Sequence, residues 1–221
     1  TTIFMNQGEM CVAGSRLLID ASIYETFINT MATMASKITL DNGIKPTADM
    51  GPLISKEHKL KVTTMVDRAI DAGAELLEPL KDHYHPSFGY FYPPTILHNV
   101  NPTMEIWNEE VFGPVVITAP FSNYDEAINL ANQTNYGLAV SIWTDSNRTI
   151  NRAVSDINAG TVWVNTYGAF SAEVPFGGFG QSGYGKELGL DSLLAYCRKK
   201  SITIDTTPDA KPLVAGWYNL K

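Results

Sequence analysis

Cys11 lies in the run Phe4-Met5-Asn6-Gln7-Gly8-Glu9-Met10-Cys11-Val12-Ala13-Gly14-Ser15-Arg16, and it is one of only two cysteines in 221 residues. A thiol attacks a carbonyl only as thiolate, and a free cysteine has a pKa of about 8.5, so a nucleophilic site must stabilise the anion. Gly8, Ala13 and Gly14 leave room for backbone N–H groups to approach the sulfur and the oxyanion formed on attack. An ordinary buried thiol is the alternative for any lone cysteine. Cys197 has no such neighbours, falls near the end of an expected helix, and is expected to be buried and structural.

Two distant stretches carry further candidate chemistry. In Asn108-Glu109-Glu110-Val111-Phe112-Gly113-Pro114, Glu110 and Phe112 stand two apart in extended or turning chain, a spacing that sends both side chains toward one ligand. A solvated acid beside a core aromatic would read the same. The glycine-rich stretch from Pro175 to Gly189 contains Gly178-Phe179-Gly180-Gln181-Ser182-Gly183, which spells the dinucleotide fingerprint, yet no strand runs directly into it and no βαβ unit encloses it. Gly180 to Lys186 nearly spells a phosphate-binding loop, but Glu187 stands where Ser or Thr would ligate magnesium. His83-Tyr84-His85 has a metal-site spacing without a third ligand nearby, so no metal is expected.

The three motifs, in this order and at these separations, resemble the NAD(P)-dependent aldehyde dehydrogenase superfamily from the first residues to about Asp205. The resemblance implies that Cys11 is the nucleophile: it forms a thiohemiacetal with the aldehyde, hydride passes to the nicotinamide, and water or coenzyme A resolves the thioester. It implies that Glu110 holds the nicotinamide ribose, that Phe112 packs on the ring, and that Glu187 is a buried acid relaying protons. A helix-start carboxylate at the surface is the other reading of Glu187. Phe4, Met5, Met10, Phe170 and Phe176 would line an apolar approach to the thiol, with no cation to select an acidic aldehyde, and such residues are equally at home in a core. The glycines would pack the loop against the catalytic segment. Many relatives carry Lys in place of Gly180 and Arg in place of Lys186.

The elements that must position these residues read as follows. Leu17-Leu18-Ile19, within Ser15 to Asp20, is of strand length, and Ile3-Phe4-Met5 reads as a truncated helix end. Apolar residues at three- and four-residue steps predict a helix from Ser22 to about Ile38 and another from Ser55 to Ala72, capped by Ser55 and stopped by Gly73. Ala74 to Leu77 is a candidate strand, and Glu78 to Pro94 a long loop broken by prolines. Strands Val115–Ala119, Leu138–Trp143 and Gly160–Val164 then alternate with helices Asp125–Ala131 and Asn147–Ile157, the latter capped by Asp145. Near-continuous apolar strands suit a sheet covered on both faces, so the expected fold is α/β with a mostly parallel open sheet.

Relatives place their dinucleotide-binding half before the reactive cysteine, and only ten residues precede Cys11. Residues 1–199 are therefore expected to be a catalytic domain without its amino-terminal cofactor domain, neither binding NAD or NADP tightly nor turning over alone. Residues 200–221 would be an oligomerisation strand, Ser201 to Ile204, and a tail, making a homo-oligomer. The charge of −7 and pI near 5.0 disfavour nucleic acid and anionic membrane as partners and leave a small-molecule aldehyde. Two cysteines fit a reducing compartment, most simply the cytoplasm, and no apolar run approaches the roughly 20 residues of a membrane span. Rival readings are a non-catalytic scaffold domain, and a cofactor-independent cysteine hydrolase or acyl transferase needing a histidine base beside Cys11, for which only His58 and His98 lie near regular elements.

Overall fold

The computed structural model describes residues 2–77, 80, 86–206 and 208. A four-stranded sheet has the order β1 (Arg16–Asp20), β4 (Val115–Phe121), β3 (Thr95–His98), β2 (Glu75–Leu76), with β4 parallel to both β1 and β3 and β2 antiparallel at one edge. Two helices cover it, α1 (Tyr24–Ala35) and α2 (Lys56–Asp71). The pleat of β4 explains why they lie on opposite faces. Val115, Ile117 and Ala119 meet Val62, Met65, Val66 and Ala69 of α2, while Val116 joins Tyr24, Ile28, Ala32 and Ala35 of α1. Every side chain of β4 from Val115 to Ala119 is buried, which accounts for its unbroken apolar run.

Thr118 is the polar exception in that strand. Its hydroxyl donates to the Leu97 carbonyl at 3.1 Å, leaving Tyr24 to donate to Thr118 Oγ1 at 2.9 Å, so both groups stay satisfied in the core. Arg16, at the start of β1, sends its guanidinium to the Leu130 and Ala131 carbonyls at 3.1 and 2.9 Å. These belong to the last turn of α4 (Tyr124–Asn132), where a cation meets the negative end of the helix dipole. Arg16 also lies 5.6 Å from the ring centroid of Trp107 on α3 (Glu105–Asn108). Burial lowers its pKa from the usual arginine value.

A second layer is smaller. β6 (Ala139–Ile142) pairs in parallel with β7 (Thr161–Val164), connected by α5 (Asn147–Asp156), while β5 (Tyr136–Gly137) pairs antiparallel with β8 (Phe179–Gly180). α6 (Gly189–Ala195) follows, with none of its residues buried.

Several expectations need correction. Thr95–His98 is a central strand directly after what reads as loop, and the short α3 was not anticipated. Ile3 and Phe4 precede a 3-10 turn, Met5–Gly8, instead of ending an α-helix. The cap of α5 is Ser146, whose hydroxyl accepts from Thr149 N at 3.2 Å, in place of Asp145. Among the described residues, 201–204 form no strand and pair with none of the strands, and Ile202 and Ile204 are exposed. His83 and His85 lie outside the described residues.

Candidate active site

The Cys11 turn is built on left-handed backbone. Asn6, Gln7 and Gly8 have φ of 50°, 46° and 74°, and Asn6 stabilises the turn by accepting from Glu9 N and donating its amide to Glu9 O. Gly8 is there for a second reason: a Cβ on it would collide with the carbonyl of Gly113. The Cys11 turn thus packs backbone to backbone on the segment that carries Glu110 and Phe112. Ala13 N closes onto Met10 O at 2.9 Å, and Cys11 stands exposed at the tip.

Phe112 is also left-handed, at φ 59°. Its carbonyl sits 2.6 Å from His58 Nε2 in the first turn of α2, and the His58 and Phe112 rings meet edge to face at 6.2 Å. His58 N is bonded by the Ser55 cap, as the sequence foretells for α2. Since a carbonyl only accepts, His58 Nε2 is the donor. Glu110 is exposed on the rim of an open groove of about 630 Å³ between α2 and α3, which Lys61, Arg68 and Glu105 also line. The hydration that Glu110 loses pushes its carboxyl above the ordinary value, and Lys61 partly opposes this. Lys61 Nζ reaches the Glu110 carbonyl at 3.2 Å.

An aromatic cluster is joined to the Cys11 turn. Phe170 meets Phe176 at 5.1 Å and Trp163 at 5.4 Å, and Trp163 meets Tyr167 at 5.2 Å, all edge to face. Tyr167 donates to the Val12 carbonyl at 2.7 Å, joining the cluster to the Cys11 turn. Loss of hydration, and then the nearby Cys11, raise its phenol above the usual pKa, so it remains a donor. A cavity of about 200 Å³ lined by Trp163, Phe170, Val174, Pro175 and Phe176 has no charged side chain in its wall.

The remaining expected residues separate. Met10 is half-buried beside Cys11 and Met5 is exposed, but Phe4 is buried in the α1-side core, where it cannot line an approach to the thiol. Glu187 is exposed, not buried: its backbone exchanges two 2.7 Å bonds with Phe176 and leaves the carboxylate in solvent. Cys197 is likewise exposed, because α6 buries nothing. The glycine-rich loop does pack closely, but Gly177 packs on Gly160 at the start of β7 and not on the Cys11 turn. Tyr167 and Trp163 were missed. Their signal was positional, since they lie at and just beyond the carboxyl end of a parallel strand, where α/β proteins place ligands.

The described residues thus form a mostly parallel α/β fold that carries an exposed thiol at Cys11, an aromatic cluster joined to its turn, and a groove lined by several glutamates. The aldehyde dehydrogenase family model matches residues 1–202. The chain is 40% identical over 219 residues to betaine aldehyde dehydrogenase of Bacillus subtilis (strain 168), covering 98% of this chain and 44% of that protein. It is 41% identical to aldehyde dehydrogenase 1A1 of Gallus gallus, covering 91% and 39%. Among solved structures, a variant of Staphylococcus aureus betaine aldehyde dehydrogenase with NAD+ and a mercaptoethanol-modified cysteine superposes with a TM-score of 0.88 at 36% identity, over 94% of this chain and 43% of that one. An apo variant of the same enzyme gives 0.89, over 95% and 42%. The chain belongs to the aldehyde dehydrogenase family, and it spans less than half the length of these relatives.

Proposed function

We propose that these residues are the catalytic portion, with 1–199 as its domain, of an NAD(P)-dependent aldehyde dehydrogenase acting on an uncharged small or medium aldehyde. The observation that carries the reading is the contact of Gly8 with Gly113, which sets the thiol-bearing turn against the segment bearing Glu110 and Phe112. The Cys11 thiolate adds to the aldehyde carbon, and the oxygen takes the negative charge beside the backbone N–H of Cys11. Collapse of that adduct expels the former aldehyde hydrogen as hydride and leaves a thioester on Cys11. NAD(P), when bound, accepts the hydride. Water then adds to the thioester, releasing the carboxylic acid and restoring the thiol, and coenzyme A in place of water would release an acyl thioester.

The residues fit a dinucleotide's nicotinamide end: Glu110 offers an acceptor for ribose hydroxyls at the groove rim, and Phe112 an aromatic face. The cavity beside Trp163, Phe170 and Phe176 suits an apolar aldehyde tail, with Met5 and Met10 near the thiol. Glu187, exposed here, would carry protons only if covered by another part of the protein. No dinucleotide-binding βαβ unit surrounds the glycine-rich loop, so cofactor affinity rests on residues that relatives carry outside the matched span. The family resemblance together with a free thiol is in keeping with a cytoplasmic site of action.

The test is a comparison of Cys11→Ser with Cys197→Ser. In the protein that includes the upstream residues found in relatives, Cys11→Ser should lower aldehyde-dependent NADH formation by roughly three orders of magnitude or more, and Cys197→Ser should leave it unchanged. Calorimetry on the 221-residue chain alone should show no micromolar NAD affinity. Equal activity of the two variants would remove Cys11 as nucleophile.

A further inference from the structure

Glu9, two residues before the nucleophile, is a carboxylate that the proposed chemistry leaves unused, although its side chain is only 9% exposed. Such a group needs partners to remain charged. It has three, from three places: Gln7 Nε2 at 3.0 Å within its own turn, the backbone N–H of Ile54 at 3.0 Å ahead of α2, and His58 Nε2 at 3.6 Å in the first turn of α2. The same His58 nitrogen lies 2.6 Å from the Phe112 carbonyl. Both neighbours are acceptors, so Nε2 carries a proton and the ring touches both segments.

We propose that Glu9 and His58 are positioning residues that lock the Phe112 segment to the Cys11 turn, a proposal that rests on the cofactor role assigned above to Glu110 and Phe112. A lock is needed because Phe112 sits at φ 59°, a conformation that a bulky residue leaves readily unless its peptide is held. His58 holds that peptide by its carbonyl and the ring by its edge. Glu9 Oε1 stands 3.6 Å from the same nitrogen, and by accepting from Ile54 Glu9 anchors the thiol-bearing turn to the start of α2. Thiol and cofactor-facing segment are thereby referred to a single rigid point, the capped first turn of a sixteen-residue helix.

Three variants test this: His58→Leu, which removes the donor, His58→Gln, which keeps an N–H at similar reach, and Glu9→Gln, which keeps an acceptor for Ile54. In His58→Leu the amide resonances of Phe112 and Gly113 should move, together with those of Cys11 and Val12, while those of β3 and β4 stay. The KM for NAD in the protein carrying the upstream residues should rise about tenfold, the order that one lost hydrogen bond allows, with Cys11 alkylation changed less than about twofold. His58→Gln should restore both, and Glu9→Gln should give a partial effect of the same sign. Wild-type resonances at Phe112 and Gly113 in His58→Leu would overturn the proposal, as would a His58→Gln variant as disturbed as His58→Leu. If the wild-type protein uses no NAD while His58→Leu still displaces Phe112, the functional reading falls and the lock stands.

Discussion

Tyr92 shows how one buried phenol makes stability depend on pH. Burial is the main cause, with Asp67 adding to it, and its pKa is pushed up to about 12 from 10.0. A folded-state pKa above the unfolded one means that the folded chain binds more protons between those values. The stabilisation is therefore complete below about pH 10 and lost as the pH rises toward 12, roughly 2–3 kcal/mol over the window. Urea unfolding at pH 8 and pH 11 should show about half that loss in the wild type, roughly 1.4 kcal/mol, and a smaller one in Tyr92→Phe; equal losses would place the alkaline sensitivity elsewhere. Residue chemistry was partly legible from sequence. Cys11, Glu110 and Phe112 stood out by type and spacing, and the contact between Gly8 and Gly113 brings their segments together. Tyr167 did not stand out, because its importance lies in a bond to Val12 across 155 residues of chain, which no local pattern encodes. For Phe4 and Glu187 the sequence left two placements open, and the packing of the surrounding elements put the first in the core and the second at the surface.

At the scale of elements, period and punctuation served well. The face of α2 made of Val62, Met65, Val66 and Ala69, its Ser55 cap and its stop at Gly73, φ 104°, are all readable locally and all present. The strand Thr95–His98 was missed because prolines precede it and only four residues pair, so it owes its form to β4 alongside. The cap of α5 turned on a one-residue choice between two capable side chains, Asp145 and Ser146. Its hydrogen bond supports a clear expectation: Ser146→Ala should destabilise the protein by about 1 kcal/mol, and Asp145→Ala by much less. Thermal or urea unfolding of the pair would decide it, and the reverse order would return the cap to Asp145.

The whole molecule leaves one end bare. Leu190, Leu193 and Leu194 of α6 are exposed together with Ile202 and Ile204, an apolar stretch in which no strand forms. If these segments are where chains associate, ending the chain at Lys199 should lower the mass seen by light scattering and leave the melting temperature within about 2 °C, since the described residues removed, 200–206 and 208, are all exposed. A monomer in both chains would show that the exposed face is not a self-association surface. The pairing of β1 with β4 has a consequence of another kind, in time. Arg16 finds its partner Ile117 about a hundred residues later, and closing so long a loop slows folding. During synthesis Cys11 therefore leaves the ribosome well before Gly113, His58 or Tyr167 can reach it. Cys11 is made about a hundred residues before its surroundings are complete, and until β4 emerges it is an unguarded thiol on a growing chain.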